Sequence, residues 1–144
     1  MFYDYKGLSF TTHWRPRVSL SNIIALEEDV LSFEGKVTSV ALTDNGGTIT
    51  GRGNASVYGL IYLTYNISVN PSSPGRGAMV GRATAIAEDG TEATAVLSGV
   101  WDRQGHLAKI YCFDDISDGH IHLAVVSINF KDESLRVDFS RVKR

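Results

Sequence analysis

The chain has 144 residues, of which 43% are apolar and 21% charged, with a formal net charge of −2. That suits one domain able to bury a core without metal or disulfide staples, and it lies far from the composition of a disordered chain. The slightly acidic balance excludes an electrostatic nucleic-acid surface, and the short basic run Arg141–Val142–Lys143–Arg144 reads as a solvated tail.

In chain order, the opening residues lack a basic region followed by an apolar stretch, and no window approaches the ~20 apolar residues of a membrane span. A cytoplasmic protein with no membrane partner is therefore expected, and the triplets Asn54-Ala-Ser56 and Asn66-Ile-Ser68 read as chance matches to the glycosylation signal. A first strand is predicted over 6–13. In Ser19–Val30 the apolar Ile23, Leu26 and Val30 recur at helical spacing, and Ser19 or Ser21 can cap, so a short helix over one end of the sheet is predicted.

From there the punctuation is that of hairpins: Asn45-Gly46-Gly47, Pro71 to Gly75, Asp89-Gly90, Arg103-Gln-Gly105, Asp118-Gly119 and Asp132-Glu133. Strands are predicted over 36–43, 48–69, 77–88, 91–102, 107–114, 120–130 and 134–142. The run 48–69 is long for one regular strand, and Gly51-Arg52-Gly53 is expected to mark a bulge or bend inside it. On that run Val57, Ile61, Leu63, Tyr65, Ile67 and Val69 share the face expected to point inward, with Tyr58, Tyr62, Thr64 and Asn66 opposite.

The next two runs carry the most unusual pattern. At period 2, Gly77, Met79, Gly81, Ala83, Ala85 and Ala87 share one face, and Ala93, Ala95, Leu97, Gly99 and Trp101 share another. Small residues where a core is normally filled by large ones predict a hollow. Cys112, the sole cysteine, can form no intrachain disulfide and reads as a buried, reduced packing residue between Tyr111 and Phe113. The run 120–130 has two apolar faces after His122, one of which can meet a second subunit. On 134–142, Leu135, Val137 and Phe139 are expected inward, with Arg136, Asp138 and Ser140 in water.

The fold class that follows is all-β: a single closed antiparallel barrel of about eight strands with a short N-terminal helical segment, a two-sheet sandwich being the alternative. The strand count, Gly51-Arg-Gly53, the glycines at Arg76-Gly77 and Gly81-Arg82 and the Asp-Gly turns resemble the small barrels of the allene oxide cyclase and dirigent superfamily. Gly99-Val-Trp101 matches the Gly-x-Trp of lipocalin-like barrels but falls late in the chain. The resemblance implies a barrel; fold alone transfers no function.

Among chemistry-bearing residues, His120 and His122 sit at i, i+2 on a predicted strand, as two ligands of one metal must, with His106 and His13 as distant third candidates. No carboxylate follows them at cupin-like spacing, so no metal or other cofactor is expected. Asp114, Asp115 and Asp118 lack calcium-loop spacing and read as a hairpin connection capping backbone amides, although an Asp at a barrel mouth, raised by burial, can act as a general base. Dinucleotide, Walker and nucleophile-elbow motifs are absent from the sequence.

The leading expectation is a barrel that receives a small, mostly apolar organic molecule, as a carrier or as a cofactor-independent cyclase or isomerase. Tyr65, Tyr111, His122 and Asp114 are its candidate catalytic groups, and Met79, Ala83, Ala95, Leu97, Trp101 and Phe113 its candidate lining. An interior cavity of roughly 300 Å³ or more is expected if such a molecule is held whole. The alternatives are a non-enzymatic homo-oligomeric interaction module and a cupin-like metal enzyme. A homodimer or higher oligomer is expected through the row Tyr58, Tyr62, Thr64, Asn66 together with the second apolar face of 120–130.

Overall fold

The computed structural model of the protein describes residues 19–144. Its strands are β1 Leu31–Thr43, β2 Gly46–Ala55, β3 Gly59–Ser68, β4 Arg76–Ile86, β5 Glu92–Gln104, β6 Leu107–Ile116, β7 Ile121–Asn129 and β8 Ser134–Arg141. They pair antiparallel in sequence order and close as one barrel, with β8 returning to β1 from Leu31↔Phe139 to Lys36↔Ser134. Closure leaves no open edge. The expected strand over 6–13, and His13 with it, lies outside the described residues.

Eight strands arise because the run 48–69 divides in two. The break falls at Ser56–Tyr58, where the Tyr58 N–H donates to the Ala55 carbonyl at 2.9 Å and Gly59 takes a φ of +90°. β2 passes Gly51 and Gly53 unbroken against Leu63 and Ile61, so the bend expected there is absent, and the irregularity lies across the ladder in β1, between Val37 and Ser39. The two glycines serve packing instead. A Cβ on Gly51 would run into the Leu135 side chain, and one on Gly53 would come within 2.8 Å of the Phe33 ring.

The helix predicted over 19–30 shrinks to a single turn, α1 Leu20–Ile23, with no buried residue. Ile23 and Val30 stay 68% and 65% exposed, so the helical stripe packs on nothing. The chain instead runs extended beside the end of β8. Leu26 bridges Val142, and the Glu27 N–H donates to the Arg141 carbonyl at 2.8 Å, which satisfies backbone groups that a helix would have satisfied within itself.

Which side chains face inward is governed by turn length. The Gly105-His106 turn has two residues, so Gln104 pairs with Leu107 and the inward parity switches from odd on β5 to even on β6. β6 therefore turns Ala108, Ile110, Cys112 and Ile116 into the core, while Tyr111 and Phe113 stand outside at 42% and 43% exposure. Their expected place in the lining is corrected on that ground. β8 keeps Leu135, Val137 and Phe139 inside as read from the sequence, but Ser140 is buried too, donating to the Asp29 carbonyl at 3.1 Å.

The hollow expected behind β4 and β5 is only partly there. Cβ atoms built on Gly77, Gly81 and Gly99 would collide with the carbonyls of Ser68, Thr64 and Tyr111, so these glycines permit close approach of neighbouring strands rather than leaving space. Midway along the barrel, Ile49, Tyr65, Met79, Ile110, Val126 and Ile128 are almost wholly buried and fill the interior. Trp101 packs beside them, its indole N–H donating to the Ser68 carbonyl at 2.9 Å. This filled waist leaves one recess at each end.

Candidate functional site

One mouth of the barrel is formed by the ends of β2, β4, β6 and β8 and the starts of β1, β3, β5 and β7. Here the small residues do leave room. Ala83, Ala85, Ala93 and Ala95 line a cavity of about 70 Å³ together with Leu63, Tyr65, Leu97, Cys112, Asp114 and His122. The opposite mouth holds a recess of about 210 Å³. Neither reaches the size expected for a molecule enclosed whole.

The polar groups of the smaller cavity come together because β6 and β7 pair Asp114 with His122 and both point inward. Burial pushes the Asp114 carboxyl up to about 6, opposed only by the Cys112 thiol, which approaches Oδ1 at 3.3 Å. The same burial, reinforced by Asp114, pushes the thiol far up, so Cys112 is a neutral hydrogen-bond donor and no thiolate nucleophile. Tyr65 is fully buried, and burial with Cys112 and Asp114 nearby holds its hydroxyl well above the ordinary tyrosine value. It too stays neutral.

His122 is 2% exposed and stacks on Phe139 with ring centroids 4.8 Å apart. Burial, helped by the Arg141 guanidinium, lowers its pKa to about 4, so the imidazole is neutral at ordinary pH. Its Nε2 has no hydrogen-bond partner among the described residues, nor has Arg141 Nε. A buried ring nitrogen left unpartnered in a cavity wall is a specific anomaly, since buried polar atoms are nearly always satisfied.

At the rim the Tyr58 hydroxyl donates to Asp118 Oδ2 at 2.8 Å, and Asp118 Oδ1 accepts the His120 N–H at 2.9 Å. Asp118 is partly desolvated, yet these bonds hold it below the usual carboxylate range. It caps backbone as the Asp-rich turn predicts; Asp89 and Asp132 do the same for Thr91 and Ser134. Tyr58 therefore belongs to the mouth rather than to the outward row of β3, and its ring lies 6.0 Å from that of His122.

Of the sequence-predicted residues, Tyr65, Ala83, Ala95, Leu97, Asp114 and His122 meet at this mouth. Met79 is buried in the waist, Trp101 borders the opposite recess, and Tyr111 and Phe113 lie outside the barrel. Cys112, buried as the sequence indicates, joins the site together with Tyr58 and Arg141, none of them among the expected site residues. Parity exposes Cys112: once Asp114 points inward, Cys112 at i−2 must as well, and Tyr111 and Phe113 cannot. No group of three or more His, Cys, Asp or Glu residues able to hold a metal occurs among the described residues, and His120 sits in the turn ahead of β7.

No family model matches the chain, and no curated protein or solved structure matches it either. None of these comparisons supports the resemblance to allene oxide cyclase and dirigent barrels. No described helix is long and apolar enough to cross a membrane.

Proposed function

We propose that the alanine-lined mouth binds the carbonyl end of a small, mostly apolar organic molecule and catalyses cofactor-independent proton transfer on it, as an isomerase or cyclase does. The observation that carries this reading is the Asp114 carboxyl inside an apolar cavity, facing across the ladder a His122 whose Nε2 is unspent. A carboxyl raised to about 6 is poised to take and return a proton near neutral pH. Neutral Tyr65 and His122 supply donors for the oxygen on which charge develops. On a carbonyl compound with a β,γ double bond, ionised Asp114 removes a proton from the α carbon, the dienolate oxygen is held by a donor, and the same proton returns to the γ carbon as the double bond moves into conjugation. Atoms and charge balance without oxidant or reductant.

A cavity of about 70 Å³ admits only the reacting end, the rest of the molecule lying at the rim near Tyr58 and Thr94. The test is exchange of the α-hydrogens of 2-pentanone in D₂O, followed by NMR. Exchange above the buffer rate, rising through a midpoint near pH 6 and lost in Asp114→Asn, is expected. Wild-type exchange equal to buffer, or unchanged in a folded Asp114→Asn variant, overturns the reading.

A second reading is homo-oligomerisation, favoured by the outer face of β4–β7. Cross-strand pairing places Phe113 beside Leu123, and Val100 beside Tyr111 and Val125, as an apolar band that Val80 extends beyond Ser98. Arg82 and Asp115 flank it in one row, with Val96 between them. A second copy related by a two-fold axis sets each Arg82 opposite an Asp115, which makes the band self-complementary.

A further inference from the structure

We propose that the recess at the opposite mouth is a second, separate binding site, which takes an apolar chain ending in an anionic group such as a carboxylate. At about 210 Å³ it is three times the volume of the Asp114 cavity. It also exceeds the ~150 Å³ of an apolar cavity known to hold benzene. Ile49, Ile67, Val69, Ile128 and Phe130 make its wall. Trp101 lines it as well, and because its indole N–H is already committed to the Ser68 carbonyl, the indole contributes apolar surface. Buried Tyr65 and Met79 lie between this recess and the other mouth.

The polarity of the ligand follows from Arg103. It continues the inward parity of Leu97 and Trp101, pairs with buried Ala108, and lines the recess at its solvent end. No acidic side chain lies within salt-bridge distance of it among the described residues. Asp44 also borders the recess, but from the turn beyond the last β1–β2 pair, Thr43↔Gly46. Arg103 thus lies at the rim of an apolar recess, where its guanidinium can form a forked pair with a carboxylate whose chain lies below.

Octanoate, 1-octanol and octylamine are titrated into the full chain, with calorimetry and the ¹H–¹⁵N indole signal of Trp101 as readouts; loss of one indole signal in Trp101→Phe separates it from Trp14. Octanoate is expected to bind saturably, to shift the Trp101 signal, and to bind more tightly than either analogue. Arg103→Gln, at an exposed position, should weaken octanoate about tenfold and leave 1-octanol unchanged. Ala95→Leu, which fills the other cavity, should leave octanoate binding intact and abolish pentanone exchange, so each site can fail alone. The proposal is overturned if octanoate binds no better than 1-octanol, if octylamine binds best, if Arg103→Gln changes nothing, or if binding is lost in a folded Ala95→Leu.

Discussion

Asp114 and His122 face one another in the register yet respond to burial in opposite senses. Asp114 holds its proton to about pH 6 in the folded chain against an ordinary value of 3.8, so across that interval the folded state carries an extra proton and stability falls as pH rises. His122 takes its proton only near pH 4, against an ordinary 6.5, so its contribution is present above 6.5 and is lost as pH falls towards 4. The two slopes oppose each other. Wild type is expected to show a nearly flat denaturation midpoint from pH 4 to 6.5. Asp114→Asn should be more stable than wild type at pH 7 by about 3 kcal/mol, and scarcely more stable at pH 4. His122→Phe, which keeps a ring on Phe139, should gain stability as pH falls. Urea denaturation at four pH values decides it, and slopes of the opposite sign contradict the environments assigned to both groups.

The strands show why small residues have two meanings. Ala83 and Ala95 face a cavity, whereas Gly77, Gly81 and Gly99 face a neighbouring backbone carbonyl. A methyl group at Gly99 must push β5 and β6 apart at Tyr111, so Gly99→Ala is expected to lower stability by more than ~2 kcal/mol, as overpacking does. Gly90 is a useful control: it lies in the β4–β5 turn with φ of +87° and open space around it, so Gly90→Ala should cost only the ~1 kcal/mol of a left-handed residue with a side chain. Equal losses from the two substitutions would mean that conformational preference, rather than strand approach, selects glycine in β5.

Around the barrel, β3 and β7 are four strands apart in a ring of eight and so lie on opposite sides. The row of Tyr62, Thr64 and Asn66 cannot join the outer face of β7 in one interface. The apolar band on β4–β7 is the surface that remains, and Tyr111 and Phe113, expected inside, sit at its centre. If it joins two copies, light scattering should give a mass above the 15.7 kDa of one chain. Phe113→Glu should then return it to the monomer, since a buried charge without a partner is costly, while Tyr62→Glu should have no effect. A wild-type mass of one chain across a wide concentration range rejects the band as a self-association surface.

How much of this was legible in the linear chain depends on the distance over which each feature is specified. Turn residues act locally, so the strand rhythm, the Asp118 cap, and the inward faces around Leu63, Met79, Leu97 and Val137 could be read directly. Helical spacing in Ile23, Leu26 and Val30 yields only the single-turn α1 because it loses to pairing with the end of β8, a partner more than a hundred residues away. The split at Ser56–Tyr58 is masked by Gly51-Arg-Gly53, which imitates a bend signal although its cause lies in Phe33 and Leu135. An inward Tyr111 and Phe113 conflict in parity with an inward Asp114 on the same strand, a conflict that the sequence itself contains. Composition and alternation thus pointed to an antiparallel β structure of about eight strands, barrel or sandwich, and the β8–β1 pairing closes it as a barrel. Only the folded register, which counts turn residues and brings strands against one another, settled which side chains share its interior: a carboxyl, a thiol and an imidazole at one mouth, and an arginine over an apolar recess at the other.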